Sequence, residues 1–504
     1  MQKILRGFLI LAVCILTLVA NAKEIDIITF NDFHGKADES LSAQEPNPGM
    51  AKFVDAILDL EKQNPNYVVV SAGDNYQGSA LSNLTHGAII SEMMRLINVQ
   101  ASAVGNHEFD WGRDYLKTWS KEGKFTFLAA NILDTKTHRI LSWTKPYLIV
   151  KKDGVKIAFI GLATIETPYT TKRTNVSQLK FKNSATVTQY WINYLKAGKA
   201  KEGRPNVIIA LTHIPSWQNL KTHEVFGKEL LNLVEHTEGL NAVITGHSHQ
   251  RVCGYMHHIP IIQAGKYGQN IGELKIDLND KNKLEQIVPN IKKIHLQKNL
   301  LIPDHQALEI YNNVQKTFKD KISEVIGYAQ NDLIHTRHQG ISPLGKWVCD
   351  LVRKKIGAQV VILNGGSFRK SLLKGKIIVG DIYDIFPFDN YIVRFKLAGT
   401  DLKKTIENGL DDEQFSGVKV DLDLTAPHGK QIRSITLTDG TPIQADEYYD
   451  VAASDFMWIG GNSYNFSRAK DVVETYINIR DIIIDSFKIS SPKLNLQVDY
   501  KKST

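Results

Sequence analysis

Cysteine is scarce in this sequence: three in 504 residues, one of which, Cys14, lies in an apolar N-terminal stretch. The other two, Cys253 and Cys349, form no CxxC pair, which excludes a disulfide framework and a thiolate metal site. Two buried free thiols in different domains are expected. Charge of one sign is not in great excess either. The formal net charge is +8, or +6 without Lys3 and Arg6. Such a modest, dispersed surplus helps attract anionic small molecules but does not make a nucleic-acid patch. Beyond residue 22 no run approaches the ~20 apolar residues of a transmembrane helix, and no repeat or low-complexity tract is present.

What is there begins with an export leader. Lys3 and Arg6 form a basic n-region, residues 8–19 an apolar core, and Ala20-Asn21-Ala22 a small-residue cleavage site. Cleavage after Ala22 predicts a periplasmic or secreted protein with no stable membrane insertion. At roughly 100–200 residues per domain, the length suggests two or three domains. In residues 23–295 apolar strand-like runs alternate with amphipathic segments, the signature of a layered α/β domain. Pro48-Gly49 opens a helix with Met50, Phe53, Val54, Ile57 and Leu58 on one face. Asp304 is placed to cap another, whose stripe is Leu308, Tyr311, Val314, Phe318, Ile322 and Val325. Further strands are predicted at residues 360–363 and 391–397, and a hairpin turn at Asp439-Gly440.

Chemistry concentrates in five short segments: Asn31-Asp32-Phe33-His34-Gly35, Gly73-Asp74-Asn75, Gly105-Asn106-His107-Glu108-Phe109-Asp110, Thr212-His213, and Gly246-His247-Ser248-His249. Four of them directly follow a predicted strand. Ligand sites of open α/β sheets lie at the carboxyl ends of strands, so the segments gather at one edge. Carboxylate, amide oxygen and imidazole together suit Zn, Mn, Fe or Co better than Ca or Mg. Seven such groups are too many for one ion and suit two divalent ions, Zn or Mn, sharing a carboxylate. Two metals can clamp both the attacking and leaving oxygens of a phosphoryl centre.

The order of these segments resembles the metallophosphoesterases, and the flanking sequence is similar to the bacterial and animal 5′-nucleotidases. The resemblance runs through Asn31–Gly35, Ala72–Ser79, Gly105–Gly112, Gly161–Pro168 and Ile262–Leu274 and continues into the C-terminal part. It implies a leader at 1–22 and a four-layered α/β/β/α catalytic domain at 23–300. A linker helix at 301–327 then joins an α/β substrate-binding domain at 328–504. It further implies that Asp32, His34 and His249 bind one metal, that Asn106, His213 and His247 bind the other, and that Asp74 bridges them. His107 is then not a ligand but pairs with Asp110 in a catalytic dyad. Asn364-Gly365-Gly366-Ser367-Phe368-Arg369 resembles the family's phosphate-binding segment, with Arg369 as its fork. Phe388 and Phe456 match the two rings that sandwich a base. Asn462 stands where the family has Asp. A second phosphate-binding Arg falls at His338, with Arg337 beside it.

The implied activity is release of phosphate from nucleoside 5′-monophosphates by in-line attack of metal-bound hydroxide, by a monomer that binds no nucleic acid. Rival readings on the same centre are a nucleotide-sugar or dinucleotide pyrophosphatase and a 2′,3′-cyclic-nucleotide phosphodiesterase. A catalytically inactive nucleotide-binding surface protein is a rival of another class, opposed by the intact set of seven ligands.

Overall fold

Strand Lys23–Phe30 shows how the N-terminal domain is layered. Its Ile25 and Ile27 face one core while Ile28 and Phe30 face another, the period-two consequence of an extended chain. The computed structural model describes residues 23–41, 46–294, 302–423, 425–427 and 429–489; the leader at 1–22 lies outside them. Lys23–Phe30 pairs in parallel with Tyr67–Ser71 and antiparallel with Asn270–Leu278, inside one six-stranded sheet. A second six-stranded sheet holds Val155–Ala163, Val207–Pro215 and Ala242–Gly246 in parallel register.

The two sheets stack face to face. Ile25, Ile27, Val68 and Val70 of one meet Ile157, Phe159, Ile209 and Leu211 of the other in a fully apolar inner layer. Alternate residues point outward. Ile28, Phe30 and Val69 pack under helices Gly49–Gln63, Ala88–Leu96 and Asp114–Gly123. Ala158, Ile160, Ile208 and Ala210 pack under Ser184–Lys196 and Lys228–Glu235. The order is helix, sheet, sheet, helix, the four layers expected. In Gly49–Gln63 the stripe Met50, Phe53, Val54 and Ile57 is buried as predicted, while Leu58 sits at its edge.

Helix His305–Ile322 starts where expected: Asp304 accepts the Ala307 N–H at 2.8 Å. Its Tyr311, Val314, Phe318 and Ile322 pack on the N-terminal core. Leu308 and Val325 depart from the expected stripe: Leu308 is exposed, with Ala307 buried in its turn instead. The helix ends at Ile322, and Val325–Ala329 is a strand paired with Gly375–Ile378. Extension favours the β-branched pair Val325-Ile326 once the helix has stopped.

The C-terminal domain is built on a five-stranded sheet that includes the predicted strands, Val360–Leu363 and Tyr391–Ala398, with Tyr448–Ser454 between them. Helices Pro343–Ile356 and Ile479–Ile489 lie on one face. Gly399–Asn408 and the ribbon Val418–Leu422/Ile432–Leu437 cover the other. Asp439-Gly440 does turn, with Gly440 at φ +95°, but not as the head of a full hairpin. Across it run the bridge Thr436–Pro442 and the bonds from the Leu437 N–H to the Thr441 carbonyl and from the Ile443 N–H to the Ile435 carbonyl, too short a ladder to make a second strand. Both later cysteines are free, one in each domain. Cys349 is buried as expected, whereas Cys253 is only half-buried. Among the described residues no helix is long and apolar enough to cross a membrane.

Candidate metal centre and active-site cleft

Asp32, His34, Asp74 and Asn106 sit just past the carboxyl ends of three strands of the first sheet. His213, His247 and His249 come from two strand ends of the second. The stacked sheets therefore bring donors together across the seam between them. Five of the candidate ligands adopt left-handed backbone: Asp32, His34, Asp74, His247 and His249, with φ between +49° and +71°. That region is costly for residues with a Cβ and, outside Gly, concentrates at functional sites. Gly105 shows how tightly the chain closes here. A Cβ on it would stand 2.2 Å from Asp74 Oδ1.

The donors fall into two groups, Asp32 with His34 and His249, and Asp74 with His213 and His247. The Gln77 carbonyl, 2.9 Å from His34 Nδ1, can only accept, so His34 carries its proton there. Its Nε2 is then a lone pair aimed at His249 Nε2 at 3.0 Å, with Asp32 Oδ1 at 3.8 Å and Asp74 Oδ2 at 4.0 Å. His213 repeats the pattern. Its Nδ1 donates to the Ala72 carbonyl at 2.7 Å, and Nε2 faces Asp74 Oδ2 at 3.0 Å. Lone pairs opposed this closely in a buried site are reconciled by a ring proton or by a cation between them. Asp32 Oδ1, Asn106 Oδ1 and His213 Nε2 are buried with no hydrogen-bond partner. These are donor atoms that two divalent ions would satisfy, so the residues fit the metals the sequence implies.

Electrostatics agree. Burial and the neighbouring His249 hold His34 well below the usual imidazole range. Burial and His213 hold His247 down to about 3. Neutral rings of this kind are the form that ligates metal. On His213 burial opposes a charge, but Asp74 outweighs it and pushes the ring up to about 10. That is the same demand, for a ring proton or a cation, beside Asp74.

Backbone amides fix the carboxylates. The His107 N–H donates to Asp74 Oδ1 at 2.9 Å and the His247 N–H to Asp32 Oδ2 at 3.0 Å. Glu108, which sequence reasoning did not single out, is buried and accepts N–H groups of Asp74, Asn75 and Gly105 at 2.7–2.9 Å. Burial, then the Asp74 charge, raises its carboxyl to about 7. Its place beside His107 was the only sequence hint.

His107 Nδ1 lies 2.7 Å from Asp110 Oδ2. Burial opposes charging this ring, yet Asp110 and Asp74 outweigh it and raise its pKa. Its Nε2 meets Arg369 Nη2 at 3.1 Å, from the C-terminal domain. Phe388 lies beside both, with its ring centroid 5.6 Å from that of His107 and 5.2 Å from the Arg369 guanidinium. A cavity of about 530 Å³ opens here between the domains. Asn364, Arg369, Phe388, Phe456 and Asn462 line its C-terminal side, and Asp74, Asn106, His107, Asp110, His247 and His249 its N-terminal side. Asp32, His34 and His213 lie buried behind, against these last residues. Arg337 and His338 both reach the cavity, and both are held by acids: Arg337 Nη2 lies 2.7 Å from Asp412 Oδ2, His338 Nδ1 3.4 Å from Asp411. Asn462 Nδ2 donates to Glu413 Oε1 at 3.2 Å. Lys172 and Trp217 also line the cavity, and nothing in their local sequence marks them.

Two stacked mixed sheets with such donors at the strand ends define a calcineurin-like phosphoesterase domain, whose family model matches residues 25–251. Residues 325–468 match the 5′-nucleotidase C-terminal domain. The chain thus belongs to the 5′-nucleotidase family. Among curated relatives, protein UshA of Yersinia enterocolitica is 26% identical over 90% of this chain and 88% of its own length. The endonuclease YhcR of Bacillus subtilis is 28% identical over 86% of this chain, which spans only 37% of that longer protein. The crystal structure of a 5′-nucleotidase precursor from Thermus thermophilus shares the fold, with a TM-score of 0.79 at 23% identity, covering 93% of this chain and 96% of that one.

Proposed function

We propose that this chain is an exported metal-dependent phosphohydrolase that releases phosphate from nucleoside 5′-monophosphates. The observation that carries the reading is the pair of donor groups meeting at Asp74, with unsatisfied buried oxygen and nitrogen atoms on both sides of it. In this reading Asp32, His34 and His249 hold one divalent ion, Asn106, His213 and His247 the other, and Asp74 both; Zn or Mn suits the donor set. Bound there, the ions supply an activated water and Lewis-acid stabilisation of the phosphoryl oxygens.

The chain's own residues do the rest. Asp110 holds His107 with Nδ1 protonated and presents Nε2 to the cleft. When phosphate enters, Arg369 exchanges its His107 contact for phosphate oxygens, which a guanidinium fork matches in pairs. His107, freed of that neighbour and still facing Asp110 and Asp74, can then hold a proton near the developing charge. Phe388 and Phe456 receive the base, and Asn364 and Asn462 offer polar contacts from the same wall of the cleft. The catalytic domain is taken as 23–300 and the substrate domain as 328–504, joined by 301–327. Because His305–Ile322 is docked on the N-terminal core and Val325–Ala329 is paired within the C-terminal domain, relative motion would be absorbed at 323–324 between them.

The test is phosphate release by the mature chain from a panel of nucleoside monophosphates, nucleotide sugars and cyclic nucleotides, with Zn or Mn. Monophosphates should be turned over fastest and chelator should stop the reaction. Inertness toward every phosphate ester with either metal would sink the proposal.

A further inference from the structure

Thr171 and Lys172 are neighbours in the chain but reach opposite sides of the cleft. Thr171 Oγ1 donates to Asp110 Oδ1 at 3.0 Å, the oxygen that His107 does not use. Around it the stretch 164–178 is tied to the dyad segment. Asn106 Nδ2 donates to the Thr170 carbonyl at 3.1 Å, and Asn175 Nδ2 to the carbonyls of Phe109 and Asp110 at 2.8 and 3.1 Å.

Lys172 crosses to the other domain. Its Nζ lies 2.8 Å from Asp455 Oδ2, off the ideal hydrogen-bond direction, so the contact is an ion pair. It also sits 5.2 Å from the centre of the Tyr391 ring. Asp455 is the residue before Phe456, and its side chain is 1% exposed. Its other oxygen accepts Asn390 Nδ2 at 2.7 Å and the Phe456 N–H at 3.0 Å. Asn390 and Phe456 both line the cleft. Nearby, helix Thr167–Thr170 packs on the turn Gly461–Ser463 that carries Asn462.

A buried carboxylate is costly without a counter-charge, and here the only ion pair found for Asp455 among the described residues comes from the other domain. Parting the domains at this point strips Asp455 of it. The position of the Phe456 segment is thereby linked to the stretch that braces Asp110.

We propose that residues 171–172 form an interdomain strap in which Lys172 is a specificity-determining positioning residue. By holding Asp455 it keeps Phe456 and Asn390 over the base of a nucleotide, while Thr171 keeps Asp110 and His107 in register below. The inference rests on the nucleotide reading of the cleft. Lys172 pairs with Asp455 and the Tyr391 ring of the base-side wall, so its loss should discriminate between substrates with and without a base.

Lys172→Met and Lys172→Arg would be compared with the parent on a nucleoside 5′-monophosphate and on ribose 5-phosphate. Lys172→Met should raise KM for the nucleotide about tenfold, the lower part of what base–aromatic stacking contributes, with kcat within about twofold. Ribose 5-phosphate turnover should hold within about twofold, and Lys172→Arg should recover most of the loss. Thr171→Val should lower kcat on both substrates alike. Spin labels at Leu220→Cys and Lys430→Cys, with Cys253→Ser, read the domains without any turnover; Lys172→Met should lengthen or broaden their separation. Equal losses on both substrates, or an unchanged nucleotide KM together with unchanged label distances, would overturn the strap. If the parent hydrolyses neither compound, the nucleotide reading fails while the label distances still test the strap.

Discussion

His34 Nε2 and His249 Nε2 face each other at 3.0 Å, from residues more than two hundred positions apart in the chain. With the proton of His34 committed to the Gln77 carbonyl, the gap between them takes either the His249 ring proton or a cation held by both rings. The other donor group, at Asp74 and His213, presents the same choice.

Asp74 Oδ2 lies 3.0 Å from His213 Nε2 and 4.0 Å from His34 Nε2, between the two groups, so under the proposed bridging role Asp74→Ala should remove more than one metal ion per chain. Elemental analysis of the purified protein checks this; a variant retaining two ions would show that Asp74 does not bridge. Chelation of the parent should abolish hydrolysis and lower Tm, since ions that bind only the folded state stabilise it by mass action.

His107→Ala should lower kcat by about 10²–10³, the usual cost of one electrostatic stabiliser, with metal content unchanged. Steady-state kinetics beside metal analysis decide it. Loss of metal together with activity would make His107 a ligand instead.

Phe388→Ala combined with Phe456→Ala should raise KM for nucleoside monophosphates about tenfold or more, because each base–aromatic stack is worth roughly 1–3 kcal/mol. Turnover of ribose 5-phosphate should change little. Comparable losses on both compounds would place the two rings in a purely structural role.

Glu413 supplies a pH test away from the metals. Burial raises its carboxyl from 4.5 to about 7, partly offset by the Gly365 N–H and Asn462 contacts. A raised folded-state pKa means the native protein holds a proton that the unfolded chain has lost between pH 4.5 and about 7. This group's contribution is therefore complete below pH 4.5 and fades as pH rises to about 7. Glu413→Gln, fixed in the neutral form, should gain Tm relative to the parent across that window. A Tm difference that is flat with pH would contradict the assignment.

Glu108→Gln should destabilise the metal centre. The buried carboxylate serves three N–H groups, and an amide must turn a donor toward at least one of them. A buried group left unsatisfied costs about 1–3 kcal/mol. Weaker metal retention and a lower Tm should appear together; unchanged values for both would show that the bracing is dispensable.

Local sequence was enough for the segments themselves. Asp32, Asp74, Asn106, His213 and His247 each lie next to glycine or at the end of an apolar run, and alternation of such runs with amphipathic stretches already implies layers with ligands at strand ends. The helix begun by Asp304 was legible for the same reason, because a cap and a stripe are properties of neighbouring residues. Tertiary structure alone decided that the donors come from two sheets, four from one seam edge and three from the other. Glu108 looked like one more motif residue until folding brought three amides to it. Val325 looked helical because period alone does not tell where a helix stops. Lys172 carried no mark at all: its partner lies in the other domain, and a contact made by packing across that distance leaves no local pattern to read.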